Sequence, residues 1–262
     1  MQWYFALTED STAFRQYAEM VMVAVHTAKK ATSLEPHCVY GGDNDFTAWL
    51  GKHGLRIIWH RSFVREALEE LGRQKQNPHL GAALSGAFSR VEFPDIAKEI
   101  GGDERVLYTD CDVMFLGEVA PELEANACRL FAVAPESVRD DYVNMNIGVM
   151  LMNTERLRES LPEFREYVSK NLAALEVESW VEAAYRWFYR DESGPMWDRL
   201  RPELNWKPYW GENPEAKIIH FHGPKPYQRD HIDSHWPELR EHTVGAYEAE
   251  LERWTRLLEE AR

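Results

Sequence analysis

The chain has 262 residues, 44% hydrophobic and 28% charged, with 44 acidic against 30 basic side chains and a net charge of −14. That length suits one large α/β domain or two small ones, and the composition is that of a folded globular protein. The acidic balance excludes long-range steering toward nucleic acid or an anionic membrane, so an anionic substrate would need positive charge supplied locally at its site.

Taken in order, short apolar runs alternate with helical patterns. Residues 3–7 read as a strand, 12–30 as a helix, and 38–40 as a second strand ended by Gly41-Gly42. Asp43 is placed to cap a helix that runs to about His53 and stops at Gly54. Residues 56–59 read as a third strand and 62–74 as a helix. This βαβαβ rhythm predicts a parallel sheet with right-handed crossovers. Residues 77–86 are rich in small side chains and read as a mobile loop, with a short helix over 95–100 after Pro94. Residues 106–109, 130–134 and 147–152 are buried-strand patterns. Asn153 or Thr154 caps a helix to about Lys170. Another helix is expected over 176–190, a short strand over 217–221 and a C-terminal helix over 247–260. No repeat or linker divides the chain, so residues 1–262 read as one domain.

Cys38, Cys111 and Cys128 are scattered and form no C-x-x-C pair, which fits reduced thiols in a cytoplasmic protein rather than a disulfide framework or a zinc site. The N-terminus lacks the basic region and apolar length of a signal peptide, and no stretch approaches a membrane span.

Three segments carry chemistry. In the first, an apolar run reaches Asp110, leaves Cys111 between, and presents Asp112. In extended chain the two carboxylates share one side and Cys111 faces away. Two close carboxylates repel unless a proton or cation separates them, and a divalent metal is the usual solution; the plainer alternative is a solvated surface turn. In the second, an apolar run ends in His220 and His222, and Gly223-Pro224 then presents Lys225 between two prolines. Imidazole joins carboxylates on borderline metals, and a lysine on a stiff loop suits a phosphate; a core histidine, a solvent histidine and a surface lysine are the alternative. In the third, Asn146 and Gly148 interrupt the start of a buried strand. The glycine permits close backbone approach, and the asparagine could bond a sugar hydroxyl. Strands one and four end in polar clusters, where an open parallel sheet binds its ligand.

Together and in this order, Asp-x-Asp, Asn-x-Gly-Val and His-Phe-x-Gly with a following Lys-Pro-aromatic resemble glycosyltransferase family 8, the group containing glycogenin and the bacterial lipopolysaccharide galactosyl- and glucosyltransferases. The resemblance runs from the first strand to about Tyr227. It implies an α/β GT-A fold, a nucleotide-sugar donor such as UDP-glucose or UDP-galactose, Mn²⁺ or Mg²⁺ as cofactor, and transfer to an acceptor hydroxyl with retention of configuration. It implies that Asp110, Asp112 and His220 hold the metal. Lys225, with Gly223 in the same loop, would contact the diphosphate, and Arg90 the donor. Ala6, Thr8 and Asp10 would receive uracil and ribose, and Cys111, Asn146 and Gly148 complete the donor-binding set. Residues 1–115 would then form mainly the nucleotide-binding half, and 116–262 the acceptor half with the C-terminal helix.

Two departures stand out. The loop from His220 to Lys225 is one residue shorter than the common spacing, so His222 competes as ligand. The family's Asp-Gln pair is missing, and its nearest counterpart is Val181-Glu182, with Asp191-Glu192 as the other register. Glu182 is thus the candidate catalytic group beneath the sugar, with Arg90 as fixed positive charge; a solvated helix residue is the alternative for Glu182. Trp180, Trp187, Trp206 and Trp210 gather in the acceptor third, where one or two at most would touch acceptor. The acidic amphipathic C-terminal helix reads as a packing or homodimer helix rather than a membrane anchor. A non-catalytic nucleotide-sugar binder and a nucleotide-sugar hydrolase are the competing functions.

Overall fold

The computed structural model describes residues 1–77, 80–176 and 180–262, with Ala82 and Ala83 as backbone. The first half runs β1 (Gln2–Thr8), α1 (Phe14–Ala31), β2 (Glu35–Gly41), α2 (Phe46–Lys52), β3 (Arg56–Trp59), α3 (Arg65–Gln74), α4 (Leu80–Glu99) and β4 (Arg105–Thr109). It continues with β5 (Val113–Phe115), α5 (Ala120–Ala125), β6 (Phe131–Pro135), β7 (Met145–Asn153), α6 (Thr154–Glu159), α7 (Leu161–Leu175) and α8 (Val181–Phe188). Three two-residue strands follow, β8 (Arg190–Asp191), β9 (Gly194–Pro195) and β10 (Asp198–Arg199), then β11 (Ile218–His220), α9 (Ile232–His235) and α10 (Tyr247–Ala261).

Among the described residues seven strands form the central sheet in the order β10-β6-β7-β4-β1-β2-β3. Every pairing is parallel except those of β7, which runs antiparallel to both β4 and β6. The parallel pairing predicted from the βαβ rhythm therefore holds for β1, β2, β3 and β4, and the antiparallel β7 departs from it. All nine residues of β7 are buried, as expected of a strand covered on both faces. The two faces sort by period two. Tyr4, Tyr108, Met150 and Met152 pack with Phe88, Phe164 and Tyr185 of α4, α7 and α8. Trp3, Phe5, Leu107 and Leu151 pack on the other face with Val21 and Val25 of α1. A third cluster joins Met20 and Val23 of α1 to Tyr247, Trp254 and Leu258, so α10 packs on its own chain through its apolar stripe.

The structure corrects several local expectations. Residues 80–86 are not a loop: α4 begins at Leu80 and continues through Pro94 to Glu99. Gly81 serves close packing, since a Cβ there would lie 3.1–3.2 Å from the Glu69 backbone. Pro94 cannot donate to the Arg90 carbonyl one turn earlier, and the Tyr185 hydroxyl donates to that oxygen instead at 3.0 Å. This substitution keeps 95–100 from being the separate helix that Pro94 suggests. Asp43 is not the cap of α2; Asn44 Oδ1 accepts from the Phe46 N–H at 3.0 Å. The helix expected from Asn153 to Lys170 is two helices: Asn153 caps α6, and the chain breaks at Ser160 before Pro162 opens α7. The helix expected over 176–190 is the shorter α8, and residues 177–179 of that prediction lie outside the described residues. The three-residue β5 and the two-residue strands were not legible as periodic patterns. No helix among the described residues is long and apolar enough to cross a membrane.

Candidate metal and donor site

Strand β4 ends at Thr109, whose hydroxyl accepts from Trp3 Nε1 at 2.9 Å. Asp110, Cys111 and Asp112 then form a bend between β4 and β5 rather than a continuing extended segment. The two acids still converge. The Asp110 N–H donates to the Gly148 carbonyl at 2.8 Å, and Cys111 turns inward to place Sγ 3.1 Å from the Ala6 carbonyl. Burial pushes the Cys111 thiol well above its ordinary range, so it packs as a neutral group. The antiparallel pair β5–β11 sets His220 opposite Val113, and the Phe221 N–H donates to the Asp112 carbonyl at 3.0 Å. Ligand atoms of Asp110, Asp112 and His220 come within 4.8 Å of one another. His220 Nε2 lies 3.4 Å from Asp112 Oδ1 and 3.8 Å from Asp110 Oδ2. Two carboxylates and one imidazole are a donor set that fits Mn²⁺ or Mg²⁺.

Two cations flank the cluster. Arg90 of α4 is buried, donates to Asp110 Oδ1, donates to the Ile147 carbonyl at 2.5 Å and lies 5.0 Å over the Tyr108 ring. Lys225 donates to Asp112 Oδ2 and to the Phe221 carbonyl. Burial of Asp112 works against its charge, but the Lys225 ammonium beside it outweighs that and holds the carboxyl well below the usual range.

Ala6, Thr8, Arg90, Asp110, Cys111, Asp112 and Lys225 line one cleft of about 190 Å³ at the carboxyl ends of β1 and β4. Asp10 lines an adjoining hollow of about 230 Å³, where it pairs with Arg65. Gly223 lies in the turn between β11 and Lys225. Asn146, Gly148 and Glu182 do not line the cleft. Gly148 sits against His220: a Cβ there would meet ring atoms at 2.1, 2.7 and 2.8 Å. Asn146 is buried, its oxygen accepting from the Gly148 N–H and from Asn205. Asn205, which belongs to no motif, also contacts His220 Nδ1 at 2.9 Å. The sequence offers no signal for it.

His222 stands apart from the acidic pair. It contacts the Tyr209 hydroxyl at 2.8 Å and Glu136 at 3.5 Å, and burial pushes its pKa down to about 4. Glu182 is buried beside Asn146 and Arg186, and burial with the neighbouring Glu136 pushes its carboxyl up to about 8. Asp191 and Glu192 of the other register are exposed. Trp206 is buried and Trp210 half-buried, with indole N–H groups spent on the Gly211 and Ser137 carbonyls; Trp187 is exposed.

No protein-family model and no curated protein matches the chain. Solved structures share its fold. The glycosyltransferase GlyE of Streptococcus pneumoniae TIGR4 superposes with a TM-score of 0.64 at 14% identity, over 97% of this chain and 64% of GlyE. This chain thus spans about 64% of the length of GlyE. The galactosyltransferase LgtC, solved with donor and acceptor sugar analogues, gives 0.62 at 16% identity over 99% of this chain and 96% of LgtC. Mouse xyloside xylosyltransferase 1 gives 0.56 at 14% identity over 84% and 97%. The fold is GT-A, as the resemblance implied.

Proposed function

We propose that the protein is a metal-dependent retaining hexosyltransferase of the family 8 type, moving a hexose from UDP-glucose or UDP-galactose to an acceptor hydroxyl. The observation that carries this reading is the convergence of Asp110, Asp112 and His220, with Lys225 and Arg90, at the carboxyl end of the parallel strands. Residues 1–115 supply most of the donor cleft, and 116–262 the acceptor side. A cytoplasmic location accords with three free thiols, and a homodimer is compatible with the reading.

Asp110, Asp112 and His220 would hold Mn²⁺ or Mg²⁺, which when bound acts as a Lewis acid on the diphosphate. Lys225 and Arg90 bring fixed positive charge to where the leaving diphosphate gains negative charge. Ala6, Thr8 and Cys111 shape the wall against which the nucleoside lies, with Asp10 at its far end. Asn146 and Gly148 support the donor site from behind through His220. Glu182 is the candidate for steadying an oxocarbenium-like centre; a positive centre nearby would favour its ionised form against burial.

A nucleotide-release assay over a panel of UDP-sugars, with and without Mn²⁺ and acceptor, tests the reading. Metal-dependent release should occur with one donor, rise with acceptor, and vanish in Asp110→Ala. Full activity in that variant would sink the metal reading, and release indifferent to every acceptor would make the protein a hydrolase.

A further inference from the structure

A line of buried amides runs from His220 away from the cleft. His220 Nδ1 lies 2.9 Å from Asn205 Oδ1, Asn205 Nδ2 lies 2.9 Å from Asn146 Oδ1, and Asn146 Nδ2 lies 3.4 Å from Glu182 Oε1. His220, Asn205 and Asn146 are at most 3% exposed. An asparagine amide can be placed either way round, so the direction of such a line must be argued from a group whose chemistry is unambiguous. The backbone supplies one. The Gly148 N–H points at the Asn146 side chain at 3.2 Å, and a donor there requires the amide oxygen. The Asn146 nitrogen then faces the Glu182 carboxyl, which accepts in either protonation state. Asn205 must therefore offer its NH₂ to Asn146 and its oxygen to His220. An amide oxygen needs a donor, so the proton of neutral His220 sits on Nδ1 and the lone pair on Nε2.

This direction opposes a local pull. Nε2 faces two carboxylates at 3.4 and 3.8 Å, which on their own would draw the ring proton to Nε2. A proton there would block the nitrogen as a metal ligand. Two amides in series, Asn205 and Asn146, anchored at the Gly148 backbone and at Glu182, hold the proton on the other side.

We propose that Asn205 and Asn146 are positioning residues that fix His220 as its Nδ1–H tautomer and present the Nε2 lone pair between Asp110 and Asp112. The inference rests on the metal-dependent reading above and extends it to residues outside the cleft.

Two measurements on the full chain test it. Long-range ¹H–¹⁵N correlation at pH 8 on histidine-labelled protein, with His220→Gln for assignment, reads the tautomer. Mn²⁺ titration followed by electron paramagnetic resonance, with UDP present, reads affinity. The wild type should carry Nδ1–H. Asn205→Leu should move the proton to Nε2 and weaken Mn²⁺ binding about 10- to 100-fold, the usual effect of removing a ligand's supporting partner. Asn205→Asp keeps an acceptor for Nδ1–H but loses the donor to Asn146, and should retain the tautomer and lose less affinity than Asn205→Leu. A wild-type Nε2–H tautomer overturns the inference, and so does an Asn205→Leu protein that unfolds at the wild-type temperature and binds Mn²⁺ equally well. Should Asn205→Leu fail to fold, the wild-type tautomer and Asn205→Asp decide. A wild type that shows Nδ1–H yet binds no Mn²⁺ overturns the metal-dependent function itself, which separates the two failures.

Discussion

Gly148→Ala is the sharpest probe of how the third ligand is seated. The added Cβ would lie 2.1 Å from His220 Cε1, 2.7 Å from Nε2 and 2.8 Å from Nδ1. Gly148 is not among the positive-φ residues, so alanine meets no backbone strain and the cost is contact alone. Reaching an ordinary carbon contact of about 3.5 Å means the ring retreats by about 1.4 Å. The ring is 1% exposed and tied through Nδ1 to Asn205, so it has no open space to take. Overpacking of this kind costs about 1–3 kcal/mol, which for a chain of this size lowers Tm by roughly 2–12 °C. A shift above 1 Å in a positioned group also costs roughly 100-fold in turnover. The assay is a double-mutant cycle with His220→Ala, read by thermal unfolding and by Mn²⁺-dependent nucleotide release. Removing the ring opens the space, so Gly148→Ala should cost little in the His220→Ala background, giving a coupling of about 1–3 kcal/mol. An equal stability cost in both backgrounds, or Gly148→Ala with undiminished metal-dependent release, would refute the reasoning.

Other expectations follow from the same geometry. Lys225→Ala leaves the buried Asp112 carboxylate short of its main partner, so stability should fall by about 3–5 kcal/mol, with donor KM raised and part of the Tm recovered on adding Mn²⁺; a variant as stable as wild type without metal would contradict the pairing. Glu182 titrates near 8 in the folded chain against an ordinary 4.5. The folded state therefore binds the extra proton between those values, and stability falls as pH rises through them, by up to about 1.4 kcal/mol per pH unit. Glu182→Gln removes that slope: its Tm relative to wild type should rise from pH 5 to about pH 8 and level off above that, and parallel Tm curves would disprove the shift. The same variant should lose turnover while keeping donor affinity if the carboxylate serves the sugar; unchanged turnover removes it from the mechanism.

Much of the sheet was legible because burial on one or both faces leaves a periodic trace. Residues 56–59 are β3 to the residue, and Asn153 caps α6 as its side chain suggests. Where the reading failed, a distant partner had changed the local rule. Pro94 sits inside a helix because Tyr185, far along the chain, takes over the carbonyl that proline leaves unpaired. Gly81 read as loop because its missing side chain serves the approach of α3, which has no local signature.

The sequence by itself determined the mostly parallel sheet and named Asp110, Asp112, His220 and Lys225, because strand period and clustered ligand types are local properties. The resemblance put His220 forward as the third ligand, with His222 as its competitor. Only the tertiary structure placed the two histidines apart: β5 pairs with β11 in a register that seats His220 beside Asp112 and leaves His222 with Tyr209 and Glu136. It alone also brought in Asn205 and assigned Gly148 to the imidazole. The reason is physical. Three-residue strands, an isolated amide and the space left by a missing Cβ carry no periodicity, and their partners are chosen by how the whole chain packs.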